Sequence, residues 1–156
     1  MGSIGAKSSS SAGVTNTNDL GTKTPLYDIE DYQNYDDYAG ELAMVSEGSP
    51  VYQIEYNGGR AFADVSEDAM YDGELYITYL ASTGKGAGTE LLARLGERAL
   101  KNNWSLTWVA DQQSAVDYYS HLNVGKYGTV TKYPATVGYE VTPNQLPAFI
   151  KSLRRR

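Results

Sequence analysis

The stretch Tyr79–Leu92, YLASTGKGAGTELL, sets three glycines at alternate positions between an apolar run and a pattern of helical period. A strand that passes through such a loop into a helix suits an anion, so the first question is which anion. A Walker loop needs Gly-Lys followed by Ser or Thr, with a further glycine before it. Here Gly84-Lys85 is followed by Gly86, and Tyr79 stands at the earlier glycine position. The dinucleotide fingerprint needs a glycine where Thr89 stands. A third arrangement fits: a strand, a glycine-alternating turn, and a helix that begins inside the motif. Glycine permits positive φ and close approach, successive backbone N–H groups converge, and the helix N-terminus adds partial positive charge. Lys85 supplies a mobile cation beside them.

Working outward, ELYITYLA (Glu74–Ala81) is β-branched and aromatic and reads as a buried strand. TELLARLGERALKNN (Thr89–Asn103) carries Leu91, Leu92, Leu95 and Ala99 on one face and charges on the other, an amphipathic helix closed by an Asn pair. WSLTWVA (Trp104–Ala110) is the next strand. Strand–helix–strand predicts a parallel pair joined by a right-handed crossover.

Upstream, VYQIEY and RAFADV flank Asn57-Gly58-Gly59 and predict a β-hairpin, followed by a loop over Ser66–Gly73. Downstream, Ala115, Tyr118, Tyr119 and Leu122 predict a short helix. Lys126–Lys132 and Ala135–Val141 read as a strand pair. Thr142 as N-cap with Pro143 at the first position opens a C-terminal helix. Its closing Arg154-Arg155-Arg156 suits a helix C-terminus. The sum is an α+β fold, a mixed, mostly antiparallel sheet with flanking helices and a central β-α-β crossover.

Residues 1–24 are rich in Ser, Gly, Thr and Asn and read as a flexible arm that would order on a partner, with one domain over 25–156. The acidic, tyrosine-rich stretch 25–45 has roughly helical spacing and predicts a helix whose tyrosines pack with wet hydroxyls.

Composition narrows the chemistry. There is no cysteine, so disulfides and thiolate nucleophiles are excluded, and the one histidine, His121, leaves no imidazole cluster for a metal. His121 with Asp117 reads as a solvated helix face, because no nucleophile elbow accompanies it. The net charge of −6 is uneven. Residues 1–75 hold 14 acids and 3 Lys/Arg; residues 76–156 hold 5 acids and 10 Lys/Arg. A nucleic-acid binder would be basic throughout its binding face, so none is expected. The acidic half would draw a cationic ligand and the basic half a phosphorylated one. Opposite halves also permit self-association into a homo-oligomer. No apolar run approaches the roughly 20 residues of a membrane span. The N-terminal MGSIGAKSSS has no secretory core and no myristoylation pattern. The expectation is a soluble, cytoplasmic protein.

Two stretches together carry a family resemblance. Thr83-Gly84-Lys85-Gly86-Ala87-Gly88 after a strand, and Ala115-Val116-Asp117-Tyr118-Tyr119-Ser120-His121-Leu122-Asn123-Val124 on a later short helix, resemble the two signatures of the GNAT family of N-acetyltransferases. The resemblance covers about residues 50–142. It implies acetyl-CoA as cofactor, its pyrophosphate cradled by Thr83, Gly84, Lys85, Gly86, Ala87, Gly88 and Thr89, with Gln112 as a further contact. The backbone of Thr78 would hold the acetyl and pantetheine arm. An amine acceptor, a small molecule or a protein, would attack the thioester directly, with acid–base help. The resemblance makes Tyr119 the proton donor to the thiolate; the same residue also reads as core packing. Alternation puts Asp72, Glu74, Tyr76 and Thr78 on one strand face, where Glu74 or Asp72 would relay a proton; either also reads as a surface carboxylate. Thr83 stands where the family has Arg or Gln, Gln112 where it often has Asn, and Asn123-Val124 where it has Gly-Phe.

Two function classes follow. One is an acyltransferase moving acetyl from acetyl-CoA to a cationic amine. The other is a GNAT-like module without catalysis, for example a phage virion or assembly protein that attaches a protein partner through residues 1–45. In that case the protein would be virion-associated.

Overall fold

The computed structural model describes residues 24–25, 50–67 and 73–156. The arm expected over 1–24, the helix expected over 25–45 and Asp72 lie outside the described residues, apart from Thr24–Pro25. The chain divides into two compact units, one of residues 1–65 and 79–92, the other of 66–78 and 93–156. It passes between them within two strands, β3 (Gly59–Glu67) and β4 (Glu74–Ser82), and one helix, α1 (Ala87–Lys101).

In the first unit, β1 (Thr24–Pro25) pairs antiparallel with β2 (Pro50–Tyr56), and β2 with β3 (Gly59–Glu67). The hairpin register runs from Tyr52↔Ala63 to Tyr56↔Gly59. Asn57 and Gly58 alone form its turn, with φ of 50° and 78°, the positive pair of a two-residue type I′ connection. Gly59, expected in the turn, belongs to the strand. β3 also runs through Ser66 and Glu67, which sequence alone assigns to a loop. The core of this unit gathers Val51, Tyr52 and Ile54 from β2, Ala61, Phe62, Ala63 and Val65 from β3, and Ala87, Leu91 and Leu92 from α1, all buried.

In the second unit the order is β4, β5 (Ser105–Ala110), then β7 (Val137–Val141), then β6 (Thr129–Lys132). β4 and β5 are parallel; β5–β7 and β6–β7 are antiparallel. The sheet is therefore mixed and mostly antiparallel, with α1 as the crossover of the β4-α1-β5 unit. Asn103, with φ 59°, ends α1: Trp104 N–H donates to Ala99 C=O at 2.8 Å and Asn103 N–H to Leu100 C=O at 3.1 Å. That pair of bonds is a Schellman closure, with Asn in the left-handed position that glycine usually takes.

Helices α2 (Gln113–His121), α3 (Val124–Tyr127) and α4 (Leu146–Arg154) complete this unit. Trp108 of β5 anchors its core, stacked on Tyr139 at 5.2 Å and near Phe149 of α4 at 6.3 Å. Helices α1 and α4 approach closely at Gly96, where a Cβ would stand 3.0 Å from Ile150 Cγ1. Arg154 forks onto Glu97 of α1 at 2.5 and 3.0 Å.

Two sequence boundaries are corrected. Lys126–Gly128 is not strand: Asn123 (φ 58°) turns the chain into α3, Gly128 N–H bonds Val124 C=O at 2.8 Å, and β6 starts at Thr129. The last helix begins at Leu146, not Pro143. Thr142 opens a turn before it, its C=O accepting from both Gln145 and Leu146 N–H at 2.9 Å. The Gln145 side chain accepts back from Thr142 N–H at 3.0 Å, one half of a capping box. Among the described residues, no helix is long and apolar enough to cross a membrane.

Candidate functional site

The glycine loop lies in the first unit and is fastened to the start of β3. Thr83 N–H donates to Arg60 C=O at 2.8 Å, and Arg60 N–H donates to Thr83 Oγ1 at 3.1 Å. Next to this clasp, Gly84 (φ 73°) lies against Gly59, and a Cβ on Gly84 would stand 2.9 Å from Gly59 Cα. Gly84 thus answers to the hairpin as well as to its own dihedral. Gly86 differs. Its φ is 94°, it is exposed, and among the described residues a Cβ there would meet only the Tyr56 ring, at 3.7 Å. Room is left in front of Gly86.

Helix α1 begins one residue later, inside the motif as the sequence implies. Glu90 N–H makes the bond to Gly86 C=O at 2.9 Å, so the amides of Ala87, Gly88 and Thr89 precede the helical ladder. Ala87 and Gly88 are buried, Thr89 is half-buried and Lys85 is exposed. The Arg60 guanidinium lies 3.7 Å from the Glu55 carboxylate, and both line a cleft of about 320 Å³ along the hairpin turn. Sequence reading missed Gly59 and Arg60. The available signal was the second glycine of Asn-Gly-Gly-Arg, one more than a two-residue turn needs.

The other expected residues lie in the second unit. Parallel pairing of β4 with β5 runs from Glu74↔Ser105 to Ile77↔Trp108, and β4 continues beyond it. Thr78 is the next residue and is exposed. The crevice at the carboxyl end of a parallel strand pair is where α/β sheets commonly receive ligands. Glu74 Oε1 accepts from Thr107 Oγ1 at 2.8 Å. Glu74 and Tyr76 line a groove of about 270 Å³ that crosses β4, β5, β7 and β6.

Tyr119 is the buried member of the Tyr118–Tyr119 pair, 8% exposed, and its ring sits 5.3 Å from Trp108 and 5.0 Å from Tyr139. Burial pushes the Tyr139 phenol up from its ordinary pKa. Trp108 Nε1 is buried with no partner among the described residues. Tyr119 is not among the residues lining the Glu74 groove. Gln112 precedes α2 with extended backbone, accepts from Val116 N–H at 3.0 Å through its C=O, and makes no side-chain cap. It is exposed. Asp117 takes a hydrogen bond from Gln113 at 2.7 Å, and His121 is exposed. Among the described residues no three His, Cys, Asp or Glu side chains are grouped to hold a metal.

No protein-family model matches the chain, and no curated protein sequence matches it. Among solved structures, it is similar to the crystal structure of the Bacillus subtilis N-acetyltransferase YlbP protein in complex with coenzyme A, at 12% identity and a TM-score of 0.44, over 78% of this chain and 95% of that one.

Proposed function

We propose that the protein is an acyltransferase that binds acetyl-CoA through the glycine loop and passes the acetyl group to an amine. The observation that carries this reading is the loop itself. Gly84 and Gly86 hold positive φ of 73° and 94°, and a helix starts immediately after them at Ala87. Backbone amides in that arrangement suit a pyrophosphate, with Lys85 as the adjacent cation. The residues fit the group. A Cβ at Gly86 would meet the Tyr56 ring at ordinary contact distance, and no backbone among the described residues crowds it.

When bound, acetyl-CoA supplies an activated acetyl group and a thiolate that can leave. The amine nitrogen would bond the acetyl carbon as the carbon–sulfur bond breaks. One proton leaves the nitrogen and one is taken up by sulfur, so no oxidant or metal is required. With the group bound, Thr78 backbone would orient the acetyl arm, Glu74 would receive the amine proton, directly or through water, and Tyr119 would donate to sulfur. Gln112 adds a cofactor contact.

A second reading, a binding module without turnover, is favoured by the packing of Tyr119 among Trp108 and Tyr139 rings. Calorimetric titration with acetyl-CoA, on the wild type and on Gly86→Glu, separates the readings. Binding lost in Gly86→Glu supports the cofactor site; no binding to the wild type removes the acyltransferase reading.

A further inference from the structure

The groove of the second unit lies on the sheet face that alternation sets opposite Leu75, Ile77, Leu106 and Trp108. Register places Tyr76, Thr107, Glu140 and Thr129 in one row across four strands, and Val109, Gly138 and Thr131 in the next. Two features shape the floor and rim. Gly138 keeps the floor low: a Cβ there would stand 3.3 Å from Tyr133 Cε2. Tyr133 forms a rim and is 57% exposed, a large ring left in water beside a cavity.

Among the described residues, the charged ones lining the groove are Glu74 and Glu140, and no Lys or Arg lines it. Two carboxylates without a lining cation, with tyrosine rings near them, are the chemistry that receives alkylammonium groups. The spacing bears on how many. Glu74 and Glu140 sit two strands apart and two residues out of register, which at ~4.8 Å per strand and ~3.3 Å per residue sets their Cα atoms about 12 Å apart. That separation suits one cation at each carboxylate better than one shared between them.

We propose that this groove binds a linear aliphatic diamine, one ammonium against Glu140 and the other amine toward Glu74, with the alkyl chain over Tyr76 and Thr107. Calling the diamine the acetyl acceptor rests on the acyltransferase reading; its binding does not.

The test is calorimetry without coenzyme A, using pentane-1,5-diamine, n-pentylamine and 5-aminopentanoate as probes. The diamine should bind at least tenfold more tightly than the monoamine, and the amino acid more weakly than either. Glu140→Gln should abolish the diamine's advantage while leaving acetyl-CoA affinity unchanged. Tyr133→Ala, at an exposed position, should weaken the diamine severalfold, and serves as the deciding variant if Glu140→Gln does not fold. Equal binding of diamine and monoamine, or a Glu140→Gln protein with undiminished preference, overturns the proposal. Diamine binding in a protein that does not take acetyl-CoA would uphold the groove and remove the acyltransferase reading instead.

Discussion

Gly59 and Gly84 touch backbone to backbone: a Cβ built on Gly59 would stand 2.3 Å from Thr83 O, and one on Gly84 would stand 2.9 Å from Gly59 Cα. Neither position has room for a methyl group unless backbone moves. Gly84→Ala adds the strain of positive φ to that overlap, and each single alanine should destabilise by about 2–4 kcal/mol. Because both disrupt one contact, the double variant should cost less than the sum. Urea denaturation of the two singles and the double checks both claims; additive losses would show that the contact is not shared.

Thr83 holds the loop by its hydroxyl as well as its amide. Thr83→Val keeps the shape and the amide bond to Arg60 C=O but removes the acceptor for Arg60 N–H. Stability should fall by about 1 kcal/mol. Thr83→Ser should restore it, since the acceptor oxygen returns. Thermal melts of the two variants decide this, and equal melting temperatures would mean that the 3.1 Å bond contributes nothing.

Tyr119 separates packing from proton transfer. Tyr119→Ala empties a ring-sized space among Trp108, Tyr118 and Tyr139 and should cost about 3–5 kcal/mol. Tyr119→Phe keeps the ring and should cost far less. If the hydroxyl donates to sulfur, Tyr119→Phe lowers kcat at least tenfold while leaving acetyl-CoA affinity within about twofold. An unchanged kcat would confine Tyr119 to the core.

Tyr139 gives the fold a pH limit on the alkaline side. Desolvation raises its phenol above the ordinary 10.0, so the folded state holds that proton more tightly than the unfolded chain does. The linked stability is complete below pH 10.0 and is lost as pH rises through the folded-state value. Denaturant midpoints should therefore fall above about pH 10 in the wild type, and Tyr139→Phe should flatten the part of that slope due to this phenol.

Local chemistry made several parts of the fold legible. Asn57-Gly58-Gly59 announced a hairpin, the leucine spacing announced α1, and the turn residue Asn103 announced its end, because each depends on neighbours within one turn of chain. The alternation of β4 likewise put Glu74, Tyr76 and Thr78 on one face. What stayed hidden depended on distant partners. The clasp between Thr83 and Arg60 spans 23 positions, and no periodicity registers it. Which of Tyr118 and Tyr119 faces inward was settled by the rings of Trp108 and Tyr139. Lys126–Gly128 looked extended because its residues suit a strand, yet Asn123 in the left-handed region had already bent the chain into α3.

The clasp at Thr83 has a consequence for how such a loop can diverge. Its path is held by main-chain atoms of Gly59, Arg60 and Gly84 and by one hydroxyl, so the curve does not depend on a long side chain at its first position. Substitutions at the exposed position 85 alter charge and reach while leaving the curve intact. Drift in the hairpin is a different matter, since a single methyl at Gly59 would deform a loop 25 residues away without touching its letters. Inheritance of the loop's shape is therefore recorded in two places, and a comparison of the glycine motif alone reads only one of them.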